Sequence, residues 1–316
     1  MARGPVPSAS PAYPASAGNA KARSLAGNLL YSLRPGQWTK NLIVFAGLIF
    51  GEQLSNPAAV TNAVIAFAVF CALSGVIYLV NDIRDRDADR LHPLKSQRPI
   101  ASGALTVRTA AAAAFVLGGS ALAVAFWLGL MFGLVAASYV VLLSLYSMSL
   151  KHVVILDVLT IAGGFVLRAA GGAVAINVPF SHWLLLLTLL LALFLALSKR
   201  RAELVTLASD AKDHRPSLAE YSPYLLDQMI SVVTASTLLA YAFYTISPDT
   251  VQRFGTDNLL FTVPFPLYGI FRYLYLVHQR DGGGNPSEHL LSDRPLLACV
   301  ALWGVAVITI LYGPWR

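Results

Sequence analysis

Nine apolar runs dominate this sequence and dictate where the chain can go. They fall at about 39–54, 58–80, 107–127, 129–149, 153–175, 181–198, 228–247, 258–278 and 295–313. A membrane-crossing helix needs roughly 20 largely apolar residues, and most of these runs reach or approach that length. The first is cut short by Gly51, Glu52 and Gln53. The third and fourth are separated by almost nothing, so a tight hairpin at a membrane face must join them. Barrel strands would read as alternating segments of about ten residues, and the sequence has none. A backbone crossing lipid must pair its own N–H and C=O groups. The runs therefore predict an all-α, polytopic membrane bundle of nine transmembrane helices.

Only 12% of the 316 residues are charged, against about 25% in soluble domains, so most of the chain must face lipid or other helices. The formal charge of +7 is left to a few loops. Such loops suit anionic headgroups or phosphorylated substrates, and orientation in the membrane would also use them. No nucleic-acid partner is expected. Cys71 and Cys299 sit in apolar runs without metal or disulfide spacing and read as small buried hydrophobes. Residues 1–26, rich in Ala, Pro, Ser and Gly, read as a disordered tail rather than a signal peptide. The remainder, 27–316, reads as a single transmembrane catalytic domain.

The cations sort by side. Lys21, Arg23, Arg34 and Lys40 precede or open the first run, and Arg84, Arg86, Arg90, Lys95, Arg98 and Arg108 follow the second. Lys151 comes next, then Lys199, Arg200, Arg201, Lys212 and Arg215, then Arg280 and Arg294. With nine crossings all of these share one side, and only Arg253 and Arg316 lie opposite. The positive-inside rule then places the N-terminus and the long loops in the cytoplasm and the C-terminus outside the cell (inner) membrane.

Where the second run ends, the chain reads Asn81-Asp82-Ile83-Arg84-Asp85-Arg86-Asp87-Ala88-Asp89-Arg90. If the helix continues at about 100° per residue, Asn81, Asp82, Asp85 and Asp89 share one narrow face and Asp87 points elsewhere. Carboxylate and amide oxygens are what Mg²⁺ prefers. The competing explanation is a solvated face on which Arg84, Arg86 and Arg90 pair with the acids. Clustered anions beside a bilayer are costly without a counter-ion, which favours metal. Asn81, Asp82, Asp85 and Asp89 are therefore the candidate Mg²⁺ ligands.

Lys95 and Arg98, just beyond, are placed to clamp a phosphate, or they serve only as topogenic charge. Lys151 stands in a short cytoplasmic loop, and Asp157 lies about one and a half turns into the fifth span. Deeper in that span, Arg168 is flanked by Gly163, Gly164, Gly171 and Gly172. A charge within a span normally faces the bundle interior and marks a pathway or site. Pairing with a buried carboxylate is the plainer alternative. The glycines allow a neighbouring helix or a ligand to come close. Lys199, Arg200 and Arg201 end the sixth span, more cations than orientation needs, with Glu203 beside them. Arg272, Tyr273 and Tyr275 read as snorkelling and interfacial anchors. Asn285, Pro286, Ser287, Glu288, Asp293 and Arg294 form a polar cytoplasmic loop.

The stretches NDIRDRDADRLHPLKSQRPIASG, LKHVVILDVLTIAGGFVLRAAGG and LSKRRAEL, with the opening RPGQWTKNLIVFAG, resemble the UbiA superfamily of intramembrane prenyltransferases. The resemblance runs from about Arg34 onward. It implies nine helices around a lateral, lipid-open cavity capped by cytoplasmic loops, with Mg²⁺ at the first Asp-rich motif. Within the superfamily the chain is similar to the branch of decaprenyl-phosphate phosphoribosyltransferases. Aromatic prenyltransferases carry a second Asp-rich motif at the end of span six, serving a second Mg²⁺. Here Lys199, Arg200, Arg201 and Glu203 stand in its place. That suits a second phosphate group, such as the 5-phosphate of phosphoribosyl pyrophosphate.

The resemblance thus implies Mg²⁺-dependent transfer of 5-phosphoribose from phosphoribosyl pyrophosphate to a polyprenyl (decaprenyl-type) phosphate in the bilayer. Asp82, Asp85, Asp89 and Asp157 form the catalytic set. Lys95, Arg98 and Lys151 assist the leaving group, Lys199 and Arg200 hold the 5-phosphate, and Lys40, Arg168 and Glu203 complete the substrate-binding set. Two rivals stand beside this one. A prenyltransferase would move a prenyl group from its pyrophosphate to a small aromatic acceptor, and the absent second Asp motif argues against it. A transporter would show inverted repeats and broken helices at mid-membrane, which the sequence lacks. Homo-oligomerisation is left open.

Overall fold

In the computed structural model of the chain, residues 23–93, 95–179, 181–207, 216–279 and 292–313 are described. Lys21, Lys212, Arg215, Arg280, Asn285, Pro286, Ser287, Glu288 and Arg316 lie outside them. Regular structure among the described residues is helical throughout. Eight helical segments are long and apolar enough to cross a membrane. They are α3 (Pro57–Arg84), α5 (Val107–Leu128), α6 (Leu130–Met148), α7 (Leu156–Ala175), α8 (His182–Leu207), α9 (Pro223–Ile246), the stretch Asn258–His278 containing α11 (Pro264–Gln279), and α12 (Arg294–Tyr312). Short helices α1 (Leu25–Ser32), α2 (Ala46–Phe50), α4 (Arg86–Leu91) and α10 (Pro248–Phe254) lie between or before them.

Local chemistry sets where these helices begin. Asn56 accepts hydrogen bonds from the amides of Ala58 and Ala59, with Pro57 at the first helical position of α3. Ser222, Ser247 and Asp293 cap α9, α10 and α12 in the same way, with Pro223, Pro248 and Pro295 in the first two helical positions. A capping oxygen satisfies an otherwise orphaned amide, and proline costs nothing where its missing N–H had no partner. Between α5 and α6 the connection is one residue, Gly129, which makes the expected tight hairpin.

The first expected span departs from expectation. In place of a transmembrane α-helix, Pro35–Phe45 form a 3₁₀ segment that runs into the five-residue α2. A 3₁₀ helix rises about 2.0 Å per residue against 1.5 Å for an α-helix, so a straight stretch of this length would extend roughly 30 Å. Its backbone lies directly on α7. A Cβ at Gly172 would sit 1.9 Å from the Val44 carbonyl oxygen, and one at Gly47 would sit 3.0 Å from the Ala173 backbone. A Cβ at Gly171 would strike the Phe70 ring at 2.6 Å. Gly171 and Gly172 therefore serve close packing of neighbouring segments.

Two apolar cores flank the middle of the molecule. One joins α3, α5, α6 and α7 around Phe70, whose ring meets those of Phe132 and Tyr139 edge-on at 5.9 and 5.3 Å. The other joins α7, α8, α9, α11 and α12 around Phe194, Tyr221, Leu226 and Tyr273. Cys71 and Cys299 are both buried and free.

Candidate active site

A cavity of about 1280 Å³ opens between the two cores, walled by the 3₁₀ segment and by α3, α6, α7, α8, α9, α11 and α12. Its wall is uneven in charge. At the end where α3 and α8 finish, the lining includes Tyr78, Asn81, Lys40, Lys199 and Arg200, with Arg168 further in. Lys40 feels the charges of Lys199, Arg168 and Arg34. At the far end, where α9 gives way to α10, Asp249 and Arg253 line it together with Trp183, Tyr241, Tyr244 and Trp303. Most of the surface between is apolar. The space therefore offers a cationic mouth and a hydrophobic body.

Arg168 is buried, with Nε donating to Asn41 Oδ1 at 2.6 Å and Nη2 to the Tyr139 hydroxyl at 2.7 Å. The guanidinium also lies over the Tyr139 and Phe165 rings. Both hydrogen-bond partners are neutral, so the alternative of a buried carboxylate pair gives way to a cation held by an amide and a phenol. Its charge is left directed at the cavity.

Arg200 is anchored differently. Its Nε donates to Asp157 Oδ2 at 2.8 Å, Nη1 to Glu203 Oε2 at 2.6 Å and Nη2 to the Tyr146 hydroxyl at 3.2 Å. One proton remains on each Nη. Asp157 is fully buried, and its Oδ1 takes the Val158 amide at 2.9 Å and the Tyr221 hydroxyl at 2.8 Å. Burial beside that carboxylate pushes the Tyr221 hydroxyl well above its usual value, so it stays a neutral donor. The same oxygen accepts the Ile155 amide at 2.8 Å, where the backbone turns through φ +68°. A β-branched residue there is strained, and the bond to Tyr221 helps to hold it. Asp157, expected in the catalytic set, is thus sealed away from the cavity and positions Arg200. Glu203 also faces Arg200 and Lys199, at 2.6 and 3.7 Å.

The Asp-rich segment is less regular than a continuing helix would make it. α3 stops at Arg84, Asp85 breaks the helix, and α4 carries Asp89. The expected single face is therefore split. Asp82 and Asp89 are buried, Asn81 is half-buried against the cavity, and Asp85 and Asp87 are exposed, Asp87 with Arg90 at 3.5 Å. One nitrogen, Arg98 Nη1, donates to Asp82 Oδ1 at 3.1 Å and to Asp89 Oδ2 at 2.7 Å. Arg34 Nη2 also reaches Asp82 Oδ1, and its guanidinium lies over the Tyr78 ring. Among the described residues no three His, Cys, Asp or Glu side chains are already gathered as a metal site. The donor set still suits a hard divalent cation. Two occluded carboxylates lie close enough to share one nitrogen, an amide faces the cavity, and a third carboxylate stands exposed at a helix break.

Several expected residues stand off the cavity. Lys95 and Lys151 lie on 3₁₀ turns, the Lys95 amide donating to His92 Nδ1 and the Lys151 carbonyl accepting from Ser217. Arg201 turns to Asp227 on α9, and Arg272 to Asp293, the cap of α12. Tyr273 is no interfacial anchor. It is buried on the cavity lining, edge-on to the Phe194 ring at 5.3 Å, and its hydroxyl is without a hydrogen-bond partner, as is that of Thr39, which lines the same cavity. Asn41, Tyr139, Tyr146 and Tyr221 escaped the sequence reading because nothing in an apolar run marks which polar side chain meets which cation.

Residues 41–291 match the UbiA prenyltransferase family. A decaprenyl-phosphate phosphoribosyltransferase of Corynebacterium glutamicum is 33% identical over 92% of this chain and 88% of its own length. That of Mycolicibacterium smegmatis is 32% identical over 89% and 91%. In fold, the chain resembles a UbiA homolog from Archaeoglobus fulgidus bound to GPP and Mg²⁺, with a TM-score of 0.70 at 19% identity, over 90% of this chain and 99% of the other. The same homolog has been solved bound to Cd²⁺, with a TM-score of 0.66. A lipid-facing helical bundle around a cation-mouthed cavity is the expected form of such a transferase, and the chain belongs to the UbiA prenyltransferase family of integral membrane proteins.

Proposed function

We propose that the chain transfers 5-phosphoribose from phosphoribosyl pyrophosphate to a polyprenyl phosphate of the decaprenyl type, releasing pyrophosphate. The observation that carries this reading is the mouth of the cavity. Lys40, Lys199 and Arg200 line it, with Arg168 deeper, and Lys199 and Arg200 stand with Glu203 near the end of span six, where a prenyltransferase with a second Mg²⁺ would present a second Asp-rich motif. Two phosphorylated substrates bring several phosphate groups to one place, and fixed cations in a water-poor site hold them. The names of the similar relatives point the same way.

Lys199 and the fixed Arg200 hold the donor's 5-phosphate. Arg168, set deeper and with neutral partners, meets the acceptor's phosphate, whose prenyl chain occupies the apolar body and leaves between helices into lipid. An oxygen of the lipid phosphate forms the new bond to ribose C1 as the bond from C1 to the pyrophosphate breaks. The nucleophile is already ionised at neutral pH, so no general base is required. Asn81, Asp82, Asp85 and Asp89 would hold Mg²⁺, which supplies neutralisation of the charge growing on the departing pyrophosphate. Nine crossings, with the 3₁₀ segment and α2 as the first, place this mouth and the N-terminus in the cytoplasm.

The test uses purified full-length protein in detergent with Mg²⁺, polyprenyl phosphate and radiolabelled phosphoribosyl pyrophosphate. Label in the organic phase that disappears with EDTA or in Asp85→Ala is the expected result. No such label, with prenyl transfer from geranyl pyrophosphate to an aromatic acceptor instead, would replace this reading by the prenyltransferase one. The bound GPP of the Archaeoglobus fulgidus fold relative makes that the proper control.

A further inference from the structure

The two buried carboxylates of the Asp-rich segment already have a cation between them, and it belongs to the protein. Asp82 and Asp89 are 3% and 4% exposed. Two carboxylates that occluded cannot both stay ionised without a nearby positive charge. Arg98 provides it through a single nitrogen bonded to both, and Arg34 adds a second charge on Asp82. A metal ion bound by the same oxygens at about 2.0–2.1 Å needs the lone pairs that Arg98 uses.

The surroundings of Arg98 separate a mobile head from a fixed root. Its amide donates to the Lys95 carbonyl at 3.0 Å and its carbonyl accepts from Ser102 at 2.8 Å. The following Ile100 and Leu105 are buried against Leu79 of α3, and Arg90 Nε holds the Ala101 carbonyl at 3.1 Å. The backbone is therefore pinned on its C-terminal side. The side chain is about a quarter exposed, at 27%, so it has room to turn.

We propose that Arg98 is an internal counter-ion that a divalent cation displaces from Asp82 and Asp89, and that the released guanidinium then turns to the donor's pyrophosphate. This rests on the Mg²⁺ ligands named above. It gives one side chain two states. It holds the empty site together without metal and becomes a phosphate ligand once metal has entered. It also orders the two events, because the guanidinium is free for phosphate only after the metal has taken its carboxylates.

The experiment is a Mn²⁺ titration of the full-length protein without substrate, read by electron paramagnetic resonance, alongside thermal melts with and without Mg²⁺. Arg98→Gln should bind Mn²⁺ on the order of 10-fold more tightly than the parent, the competing charged hydrogen bonds being gone. Its metal-free form should melt lower than the parent, and Mg²⁺ should raise that melting point by more than it raises the parent's. Arg98→Lys should fall between. Arg84→Gln removes an exposed charge of the same segment that has no bond to either buried carboxylate, and should leave Mn²⁺ affinity unchanged. Equal or weaker binding in Arg98→Gln, or equal tightening in Arg84→Gln, would overturn the counter-ion role while leaving the metal site standing. Absence of Mn²⁺ binding in parent and variants alike would overturn the metal site and this inference together.

Discussion

The carboxylate of Asp157, with no solvent exposure, accepts a 2.8 Å hydrogen bond from Nε of Arg200, a residue 43 positions away and itself buried. α7 supplies the acid and α8 the base, so this pair fixes where the cationic end of α8 stands relative to the cavity. A buried ion pair contributes little when compared with a well-packed apolar pair, but breaking one half leaves a charge stranded.

Asp157→Ala should therefore destabilise the protein strongly, by about 3–5 kcal/mol. Tyr221→Phe removes one donor to Asp157 and the acceptor for the Ile155 amide, and should cost about 1–3 kcal/mol. Thermal melts in detergent check both. A melting temperature like the parent's for Asp157→Ala would show that Glu203 and Tyr146 alone hold Arg200.

Arg168 should behave differently. Its partners Asn41 and Tyr139 are neutral, so Arg168→Met strands no charge and should lower the melting temperature less than Asp157→Ala does, by the cost of the hydrogen bonds that Asn41 and Tyr139 lose, about 1–3 kcal/mol. Phosphoribosyl transfer should fall by roughly 10- to 100-fold in kcat/KM for the polyprenyl phosphate, the scale of a lost charge-assisted hydrogen bond. Arg168→Lys should recover part of it. Unchanged KM and kcat in Arg168→Met would remove this residue from the acceptor site.

Close backbone contact at Gly172 is testable by one methyl group. Gly172→Ala places a Cβ 1.9 Å from the Val44 carbonyl oxygen, and must push the 3₁₀ segment, and Lys40 with it, off α7. Overpacking of this kind costs about 1–3 kcal/mol or more. At Gly304 of α12 a Cβ meets nothing within 4 Å, so Gly304→Ala is the matched control and should be close to neutral.

Chain orientation depends on whether Pro35–Phe50 crosses the bilayer. With it the number of crossings is odd and the two termini face opposite sides; without it they share one. Reporter fusions at each end should show the N-terminus inside and the C-terminus outside. Both reporters on one side would remove the first crossing and leave the eight long helical segments alone.

What the sequence determined by itself was everything that depends on composition along one dimension. Eight of its apolar runs became long helical segments because lipid leaves the backbone no other way to pair its amides. The cation clusters were readable for the same reason, since an apolar chain leaves charge only where it is used. Only the tertiary structure decided which of those charges meet. Lys199 and Arg200 are neighbours in sequence, yet Arg200 is held by Asp157, Glu203 and Tyr146 and Lys199 lies against Glu203 on the cavity wall. Asp82 and Asp89 come together on Arg98 while Asp85, expected on their face, is exposed at a helix break. Each of these outcomes is set by the packing of separate helices, where burial makes an unpaired charge costly and any partner within reach of a long side chain is taken. The 3₁₀ conformation of the first expected span lies beyond the sequence for a related reason. Gly172 of α7 admits a backbone at contact distance, and nothing within residues 35–50 announces that their conformation is matched to a helix more than a hundred residues away.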